Sequence, residues 1–181
     1  MKNLLRKLFA FLAITIISFN INVSAAGSKQ SKEEKAAQQI AIKKSVESGR
    51  FIIKLDRIYF RRGGIADLRP RANYIILDRG NAIISTAYVG RQFDIRPIMG
   101  INMIGKASVS EKQSHSAKGK YVIKMKVNNG SQTLDVTLRI CSNGSCDASI
   151  SGLMIDNITY SGQLVPVKDD TEASPPSGIS I

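Results

Sequence analysis

The chain has 181 residues, with 26 lysines and arginines against 14 aspartates and glutamates, and a net charge of +12 when its single histidine is neutral. This length fits one domain with a hydrophobic core of its own. With 43% apolar residues, 22% charged residues and two cysteines, the composition excludes an acidic disordered chain, a collagen-like chain and a disulfide-dense scaffold.

The N-terminus has the pattern of a cleavable secretory signal. Positive residues come first, at Lys2, Arg6 and Lys7. Residues 8–17 are almost wholly apolar, a stretch shorter than the roughly 20 residues that a membrane span needs. Val23 and Ala25 are the small residues that a signal peptidase accepts. We therefore expect residues 1–25 to be removed as a signal peptide. The mature chain would be periplasmic or secreted, with a charge of +9, no transmembrane span and no cysteine for lipid attachment.

A helix is predicted after this signal. Ser31 and Glu34 have the spacing of a capping box, in which a hydroxyl and a carboxylate each accept a hydrogen bond from an unpaired backbone N–H. Gly49 is a typical helix stop. The sequence therefore predicts a helix over residues 32–48, within an N-terminal linker and helix of residues 26–49. We expect this peripheral helix to cover one edge or mouth of the following domain, with a partner-binding role as the alternative.

From Phe51 onward the apolar residues recur with a period of two, which is typical of half-buried antiparallel strands. Turn sequences such as Asn128-Asn129-Gly130 separate these segments. We assign residues 50–166 to one β-domain of about eight strands: residues 51–56, 74–77, 82–89, 101–109, 121–127, 134–140, 146–153 and 158–165. Residues 167–181 are polar and contain prolines, and they are predicted to be a disordered tail.

Short connections favour a closed barrel over two stacked sheets. Each predicted strand is followed by the next after a short connection, so neighbours in sequence become neighbours in space. A Greek-key sandwich needs longer crossovers, which we do not find. The predicted fold is therefore all-β, an antiparallel meander of about eight strands that closes into a β-barrel and buries its apolar face.

Four segments of the chain together resemble a known family. They are Arg-Phe-Ile-Ile-Lys-Leu-Asp-Arg-Ile-Tyr-Phe-Arg-Arg-Gly-Gly at residues 50–64, Ala-Tyr-Val-Gly-Arg at 87–91, Ser-Asn-Gly at 142–144, and Ile-Thr-Tyr-Ser-Gly-Gln-Leu-Val-Pro at 158–166. In order and spacing they resemble the domain-of-unknown-function family DUF4251, secreted proteins of Bacteroides-type bacteria. The resemblance covers about residues 30–166 and implies a lipocalin-like antiparallel barrel in the cell envelope. It carries over no catalytic residues, and the two cysteines depart from the family pattern.

These cysteines flank a turn, and two registers of that turn give different outcomes. A two-residue turn at Asn143-Gly144 places Cys141 directly opposite Cys146, with Cα atoms about 4.5 Å apart, within reach of a disulfide. A three-residue turn with Gly144 in a left-handed conformation instead pairs Ile140 with Cys146, which leaves no bridge. Burial of the apolar face favours the second register, and the disulfide stays open as the alternative.

The sequence has no evident catalytic or metal-binding constellation. Its single histidine, His115, lies in a polar stretch, and serines beside it in the sequence are no evidence of a triad. Cysteines and carboxylates lack the spacing of a metal site. Carboxylates at Asp56, Asp67, Asp78 and Asp94 are scattered over predicted loops and polar strand faces. We therefore expect a protein that is not an enzyme and that uses no metal or cofactor.

Arginine is concentrated in one part of the chain. Nine of the eleven arginines lie between residues 50 and 96, a stretch that carries +6 of the mature charge of +9. The loops with Arg61 and Arg62, and with Arg69 and Arg71, are close in sequence. These loops can share one end of the barrel, where planar guanidinium groups suit phosphate or carboxylate ligands, so these four arginines are the candidate ligand-binding residues. A solvated basic surface is the alternative.

These features favour a binding protein over an enzyme. The first hypothesis is a monomeric barrel of the cell envelope that binds a small or polymeric ligand at its mouth or in its lumen. If the arginines bind this ligand, we expect it to be anionic. Bulky residues such as Tyr88 and Met125 could instead fill the lumen. The second hypothesis is a structural or protein-interaction module, and the third is a hydrolase of envelope polymers. Nucleic acid is not an expected partner, because the signal directs the chain out of the cytoplasm.

Overall fold

The computed structural model describes residues 32–60, 63–88, 100–115 and 119–167. Helix α1 spans Lys32–Ser48, the range that the sequence predicts. Nine strands follow: β1 (Phe51–Tyr59), β2 (Ile65–Asp67), β3 (Tyr74–Asp78), β4 (Asn81–Ala87), β5 (Gly100–His115), β6 (Lys120–Asn128), β7 (Thr133–Cys141), β8 (Ser145–Gly152) and β9 (Ile155–Pro166). No helix within these four ranges is long and apolar enough to cross a membrane.

Eight of the nine strands form a closed antiparallel barrel, which confirms the predicted fold. Strands β1 and β3–β9 each pair with the next member of this set. Strand β1 also pairs with β9, from Phe51 opposite Pro166 to Tyr59 opposite Thr159, and this seam closes the barrel. The remaining strand, β2, was not predicted. It has three residues and pairs with the second half of β1.

Inward-facing side chains fill the barrel. Alternate residues of all eight barrel strands belong to one buried cluster, as the period of two predicts. Tyr160 and Phe51 are the largest of its fully buried side chains, and burying a large apolar side chain contributes about 1.5–3 kcal/mol. Tyr88 and Met125, which the sequence offers as fillers of the lumen, are part of the same cluster.

Helix α1 covers one end of the barrel, as predicted. Its Ile42 and Val46 are buried in the same cluster as the inward side chains of the strands. At the side of the helix, Gln38 Nε2 donates a hydrogen bond to the backbone oxygen of Asn143 at 3.1 Å, in the turn between β7 and β8. The helix therefore packs where β1 begins, β9 ends and this turn lies.

The turn between β7 and β8 has the three-residue register. Ile140 lies opposite Cys146, Gly144 has a φ of 86°, and the Gly144 N–H donates to the backbone oxygen of Cys141 at 2.8 Å. Burial of the apolar face thus decides the register. Both cysteines are free, with Cys146 buried and Cys141 half-buried. The disulfide alternative requires the other register, which this structure does not have.

Strand β5 is longer than predicted, with 16 residues. As far as Lys106 it pairs with β4, and from Lys106 onward it pairs with β6. The sequence prediction ends at Val109, and a β-bulge between Val109 and Glu111 explains the difference. A bulge inserts one extra residue into a strand, so the period of two is lost there while the pairing continues. His115 is thereby the last residue of a strand.

Candidate functional site

The structure describes half of the predicted arginine site. Arg61 and Arg62 lie outside the described residues. Arg69 and Arg71 lie in the connection between β2 and β3, and both are exposed. Across the described ranges, neither guanidinium has an ion pair or a hydrogen bond. The grouping of all four arginines around one ligand stays a prediction.

Asn73 fixes the backbone of this arginine loop. Its buried side chain donates through Nδ2 to the backbone oxygen of Arg69 at 2.9 Å, and its Oδ1 accepts from the backbone N–H of Ala87 at 2.7 Å. The backbone oxygen of Asn73 accepts from the Leu55 N–H at 2.9 Å. The loop is therefore tied to β1 and to the end of β4, while its two arginine side chains stay in solvent.

Two grooves on the surface differ in their chemistry. One, of about 360 Å³, lies between the β6–β7 and β8–β9 turns, and its lining is uncharged and includes the exposed Leu153 and Met154. The other, of about 320 Å³, crosses β7, β8, β9 and β1. We call it the outer groove, and it is lined by Asp56, Arg57, Tyr59, Arg139, Cys141, Ser145, Cys146, Asp147, Ser161, Gly162 and Gln163. Of these two grooves among the described residues, the outer groove is the one that brings charged side chains together, so it is the candidate site.

Cross-strand register builds the outer groove. Arg139 on β7 lies opposite Asp147 on β8, and Asp147 lies opposite Ser161 on β9. Ser161 in turn lies opposite Arg57 on β1, across the seam that closes the barrel. Residues directly opposite each other in a sheet have Cβ atoms about 5 Å apart. Barrel closure therefore makes one row of polar side chains from distant parts of the chain.

A short chain of hydrogen bonds fixes three polar groups in this groove. A β-bulge between Leu55 and Arg57 makes Asp56 an extra residue of β1. The Asp56 carboxylate accepts through Oδ1 from the Ser161 hydroxyl at 3.0 Å. The Tyr59 hydroxyl donates to the same Ser161 Oγ at 3.3 Å. These side chains from β1 and β9 thus hold one another in place.

Other polar groups of the groove are open to a ligand. Arg139 and Asp147 lie opposite each other, yet within the described part of the chain neither side chain has an ion pair or a hydrogen bond. Gln163 donates through Nε2 to the backbone oxygen of Asn143 at 2.7 Å, which orients its amide. A guanidinium offers up to five N–H donors and a carboxylate only acceptors, so the row presents both kinds of group.

The charges of the outer groove balance. Its lining contains two carboxylates, Asp56 and Asp147, and two guanidinium groups, Arg57 and Arg139. Arg57 also forms an exposed ion pair with Asp67 on β2, with 3.5 Å between Nε and Oδ1. The groove therefore does not select for strongly anionic ligands, unlike the arginine site that the sequence suggests.

Cys146 lies behind the groove as a core residue. Burial raises the pKa of its thiol well above the usual range, and the neighbouring Asp147 carboxylate raises it further. The thiolate is the reactive form of cysteine, so this thiol is inert while the protein is folded. Its position matches the sequence expectation of a small core residue.

Sequence reasoning missed this site, although one signal was present. Leu55 and Ile58 are both buried, and two polar residues, Asp56 and Arg57, separate them. Two polar residues in succession break a period of two and are typical of a bulge. The partner, Ser161, could not be found in this way, because outward positions follow no pattern and only the register places Ser161 beside Asp56.

Comparisons with known proteins give a family and a fold. The family model described as "Domain of unknown function (DUF4251)" matches residues 32–164. The chain is similar to the crystal structure of a DUF4251 family protein from Bacteroides eggerthii DSM 20697, with a TM-score of 0.61 and 16% identity over 73% of this chain and 91% of that chain. At this identity the likeness shows the fold alone. A search of curated proteins finds no match.

Proposed function

From the outer groove of a chain that belongs to the DUF4251 family, we propose that this protein is a secreted or periplasmic binding protein without enzymatic activity. Its ligand is a small polar molecule, or one unit of an envelope polymer, that is neutral or zwitterionic. The observation that carries this proposal is a groove of about 320 Å³ in which two carboxylates and two guanidinium groups come together.

The donors and acceptors of the groove support a ligand rich in hydroxyl or amide groups. Asp147 supplies acceptors and Arg139 supplies donors on adjacent strands, and the Gln163 amide is held in a fixed orientation. A hydroxyl both donates and accepts, so it can satisfy both kinds of group at once. The volume lies at the small end of the range of about 300–1,000 Å³ that is usual for ligand sites.

The contacts of Ser161 support binding rather than catalysis. A nucleophilic serine needs a base that takes its proton, most often a histidine within hydrogen-bond reach. Ser161 donates directly to the Asp56 carboxylate, without a histidine between them, and it accepts from Tyr59. The hydrogen bond from Tyr59 occupies one of the two lone pairs of the hydroxyl oxygen. The hydroxyl is thus held as a fixed polar group.

The N-terminal pattern supports a location outside the cytoplasm. A positive start, an apolar stretch and small residues before position 26 are the features that the secretion machinery recognises. Polysaccharides of the envelope contain sugar units, which carry many hydroxyl groups and are often uncharged. The proposed ligand class is therefore one that such a compartment supplies.

Native mass spectrometry of the protein purified from its own envelope tests the proposal, together with titrations of the neutral disaccharide N,N′-diacetylchitobiose and of inorganic phosphate. We expect a neutral or zwitterionic adduct in the first experiment, and weaker binding of phosphate than of N,N′-diacetylchitobiose in the second. The double variant Asp147→Asn, Arg139→Gln keeps the net charge but removes the charged donors and acceptors. We expect it to weaken binding by at least about tenfold, because a hydrogen bond to a charged group contributes about 1.5–3 kcal/mol.

The matched control is the double variant Lys126→Gln, Asp135→Asn. These residues form an ion pair of 3.1 Å on the outer wall of β6 and β7, outside the groove. We expect the control to bind like the unmodified protein. Equal losses in both variants, the absence of any adduct, or phosphate binding that Arg69→Gln abolishes would each contradict the proposal.

A further inference from the structure

The sequence Asn-Gly-Ser occurs twice in the chain, each time in a turn between two strands of the barrel. Asn129 begins the first copy, in the β6–β7 turn, and Asn143 begins the second, in the β7–β8 turn. The side-chain amide of an asparagine before glycine can be attacked by the glycine's own backbone nitrogen, because glycine has no side chain that obstructs the approach. Since the two triplets are identical, any difference in their reactivity comes from their surroundings.

The side-chain oxygen of Asn129 is surrounded by hydrogen-bond donors. Its Oδ1 accepts from the Gln132 N–H at 2.9 Å, from the Ser131 N–H at 3.1 Å and from the Ser131 hydroxyl at 3.0 Å. Donors fixed in this way polarise the carbonyl and stabilise the negative charge that an attack on Cγ places on the oxygen. The β6–β7 turn thus has the donors of an oxyanion site, directed at one of its own side chains.

The attacking nitrogen, that of Gly130, is unobstructed. Gly130 is exposed and has a φ of 93°, and no heavy atom of the described residues lies within 4 Å of the position that a Cβ would take. Its N–H donates to the exposed side chain of Asn128 at 2.7 Å, a bond that water can replace at little cost. From the fixed oxygen and the unobstructed nitrogen, we infer that Asn129 is a site of self-catalysed deamidation. This inference does not depend on the outer groove.

The same reaction is hindered at Asn143. Its Oδ1 also accepts from the serine two positions on, from the Ser145 N–H at 3.0 Å and the Ser145 hydroxyl at 2.8 Å. The Gly144 N–H, however, donates to the backbone oxygen of Cys141 at 2.8 Å, and the Gly144 oxygen accepts from the Leu164 N–H at 2.8 Å. Gly144 is also buried. Its nitrogen can turn toward the Asn143 side chain only after these bonds break.

The reaction at Asn129 needs only the turn and water. A water molecule or hydroxide removes the proton of the Gly130 nitrogen, which forms a bond to Asn129 Cγ and places a negative charge on Oδ1. The Cγ–Nδ2 bond then breaks, and Nδ2 takes a proton from water and leaves as ammonia. Water opens the remaining succinimide ring at either of its two carbonyls, which gives aspartate or isoaspartate. In sum, an amide and water become a carboxylate and ammonium.

The product changes the rim of the uncharged groove between the β6–β7 and β8–β9 turns. Gly130, Ser131 and Gln132 line this groove, and a carboxylate at position 129 brings a negative charge next to them. Isoaspartate also lengthens the backbone of the turn, so the hydrogen bonds of Oδ1 to Ser131 and Gln132 cannot all be kept. A modified chain therefore presents a groove of different charge from that of a newly made one.

Incubation of the purified full chain in heavy-oxygen water, followed by peptide mass spectrometry, tests the inference. We expect the Asn129 peptide to become a mixture of aspartate and isoaspartate that carries one heavy oxygen from the water, at a rate that rises with pH. It should react at least about tenfold faster than the Asn143 peptide, because the β7–β8 turn must first lose two backbone hydrogen bonds. In urea the two identical triplets should react at similar rates, and Asn129 should react no faster there than in the folded protein.

Three variants complete the experiment. Asn129→Gln keeps an amide on a longer side chain that does not readily form the ring, so position 129 should stay unmodified. Asn143→Gln is the matched control and should leave the reaction at Asn129 unchanged. Ser131→Ala removes the hydroxyl donor and should slow the reaction of the folded chain several-fold, but not the reaction in urea.

Several outcomes would overturn the inference. They are an unmodified Asn129, equal rates at Asn129 and Asn143 in the folded protein, aspartate without isoaspartate, and a slower reaction of Asn129 in the folded chain than in urea. An unchanged rate in the folded Ser131→Ala variant would likewise contradict the role of the donors.

Discussion

On strand β9, Tyr160 and Gly162 are buried, whereas the side chains of Ser161 and Gln163 lie in the outer groove. The inner residues are stabilised by burial, which requires that each side chain fit the space that the other strands leave. The outer residues make hydrogen bonds in contact with water, and each of these contributes little to the free energy of folding. One strand therefore carries two sets of residues under different constraints. Changes on the inner wall should affect stability, and matched changes on the outer wall should affect binding.

The largest difference is expected between the neighbours Gly162 and Ser161. A Cβ at position 162 would collide with the backbone oxygen of Lys54 and would lie 2.9 Å from the Cα of Leu55, so β9 and β1 would have to separate. We expect Gly162→Ala to lower the free energy of unfolding in urea by about 3 kcal/mol or more. Ser161→Ala should lower it by about 0.5 kcal/mol. Equal losses of unfolding free energy in the two variants would mean that the seam between β1 and β9 does not depend on the close approach of their backbones at Gly162.

Two ion pairs at or near β1 provide the next test. Arg50 Nε lies 2.9 Å from Asp78 Oδ1, and both side chains are largely buried. The pair of Arg57 and Asp67 is mostly exposed. We expect Arg50→Ala to lower the free energy of unfolding by about 2–3 kcal/mol, because it leaves a carboxylate without its buried partner. Arg57→Ala should cost about 0.5 kcal/mol, and this smaller effect should disappear in high salt.

Two tyrosine hydroxyls, one inward and one outward, allow the same comparison, with smaller expected losses in the free energy of unfolding. The Tyr160 hydroxyl donates to the backbone oxygen of Ala87 at 2.8 Å, and we expect Tyr160→Phe to cost about 1 kcal/mol. Burial raises the pKa of Tyr160 above its ordinary value of 10.0, so the unfolded chain loses this proton first as the pH rises. The contribution of Tyr160 is therefore full below pH 10.0 and declines above it. In a pH series, Tyr160→Phe should weaken this decline. At neutral pH, Tyr59→Phe, which removes an outward hydroxyl, should cost less than Tyr160→Phe.

The smallest expected effect is on the reactivity of the two cysteine thiols toward an alkylating reagent. Because burial raises the pKa of the Cys146 thiol, it should react with iodoacetamide only after unfolding. The half-buried Cys141 should react faster in the folded protein. Mass spectrometry of peptides alkylated with and without urea measures both rates. A loss of two hydrogens from the intact mass before reduction would instead reveal a disulfide between the two cysteines, and it would contradict the register of the β7–β8 turn.

The inner wall explains why so much of the fold could be predicted from the sequence. Inward residues such as Val136, Leu138 and Ile140 must all be buried, and only one register of the following turn places them opposite Ile150, Ala148 and Cys146. Helix α1 likewise has the predicted range, and Gly49, with a φ of 67°, follows its last residue as a helix stop. Ser31 of the predicted capping box lies outside the described residues. In these elements a single strong requirement, burial or backbone hydrogen bonding at a helix end, outweighs every alternative.

The outer groove and other features of the outer wall lack such a requirement. Asp56 and Ser161 are 105 positions apart in the chain, and they meet only because β1 pairs with β9 in one particular register. Strand β2 has three residues, too few for a period of two to be recognised. An outward isoleucine such as Ile76 looks like any other strand residue until its cross-strand partners are known. These features follow from tertiary pairing, which the sequence specifies only through the fold as a whole.

The seam between β1 and β9 has a consequence for the order in which the chain can fold. Synthesis delivers β1 early and β9 last, and the barrel cannot close before β9 is available. Until then β1 presents unpaired N–H and C=O groups, the kind of edge on which chains aggregate. A chain cut short before β9 would keep that edge permanently. Pairing of the last strand thus distinguishes a chain with a closed barrel from a truncated one, and proteases can act on that difference.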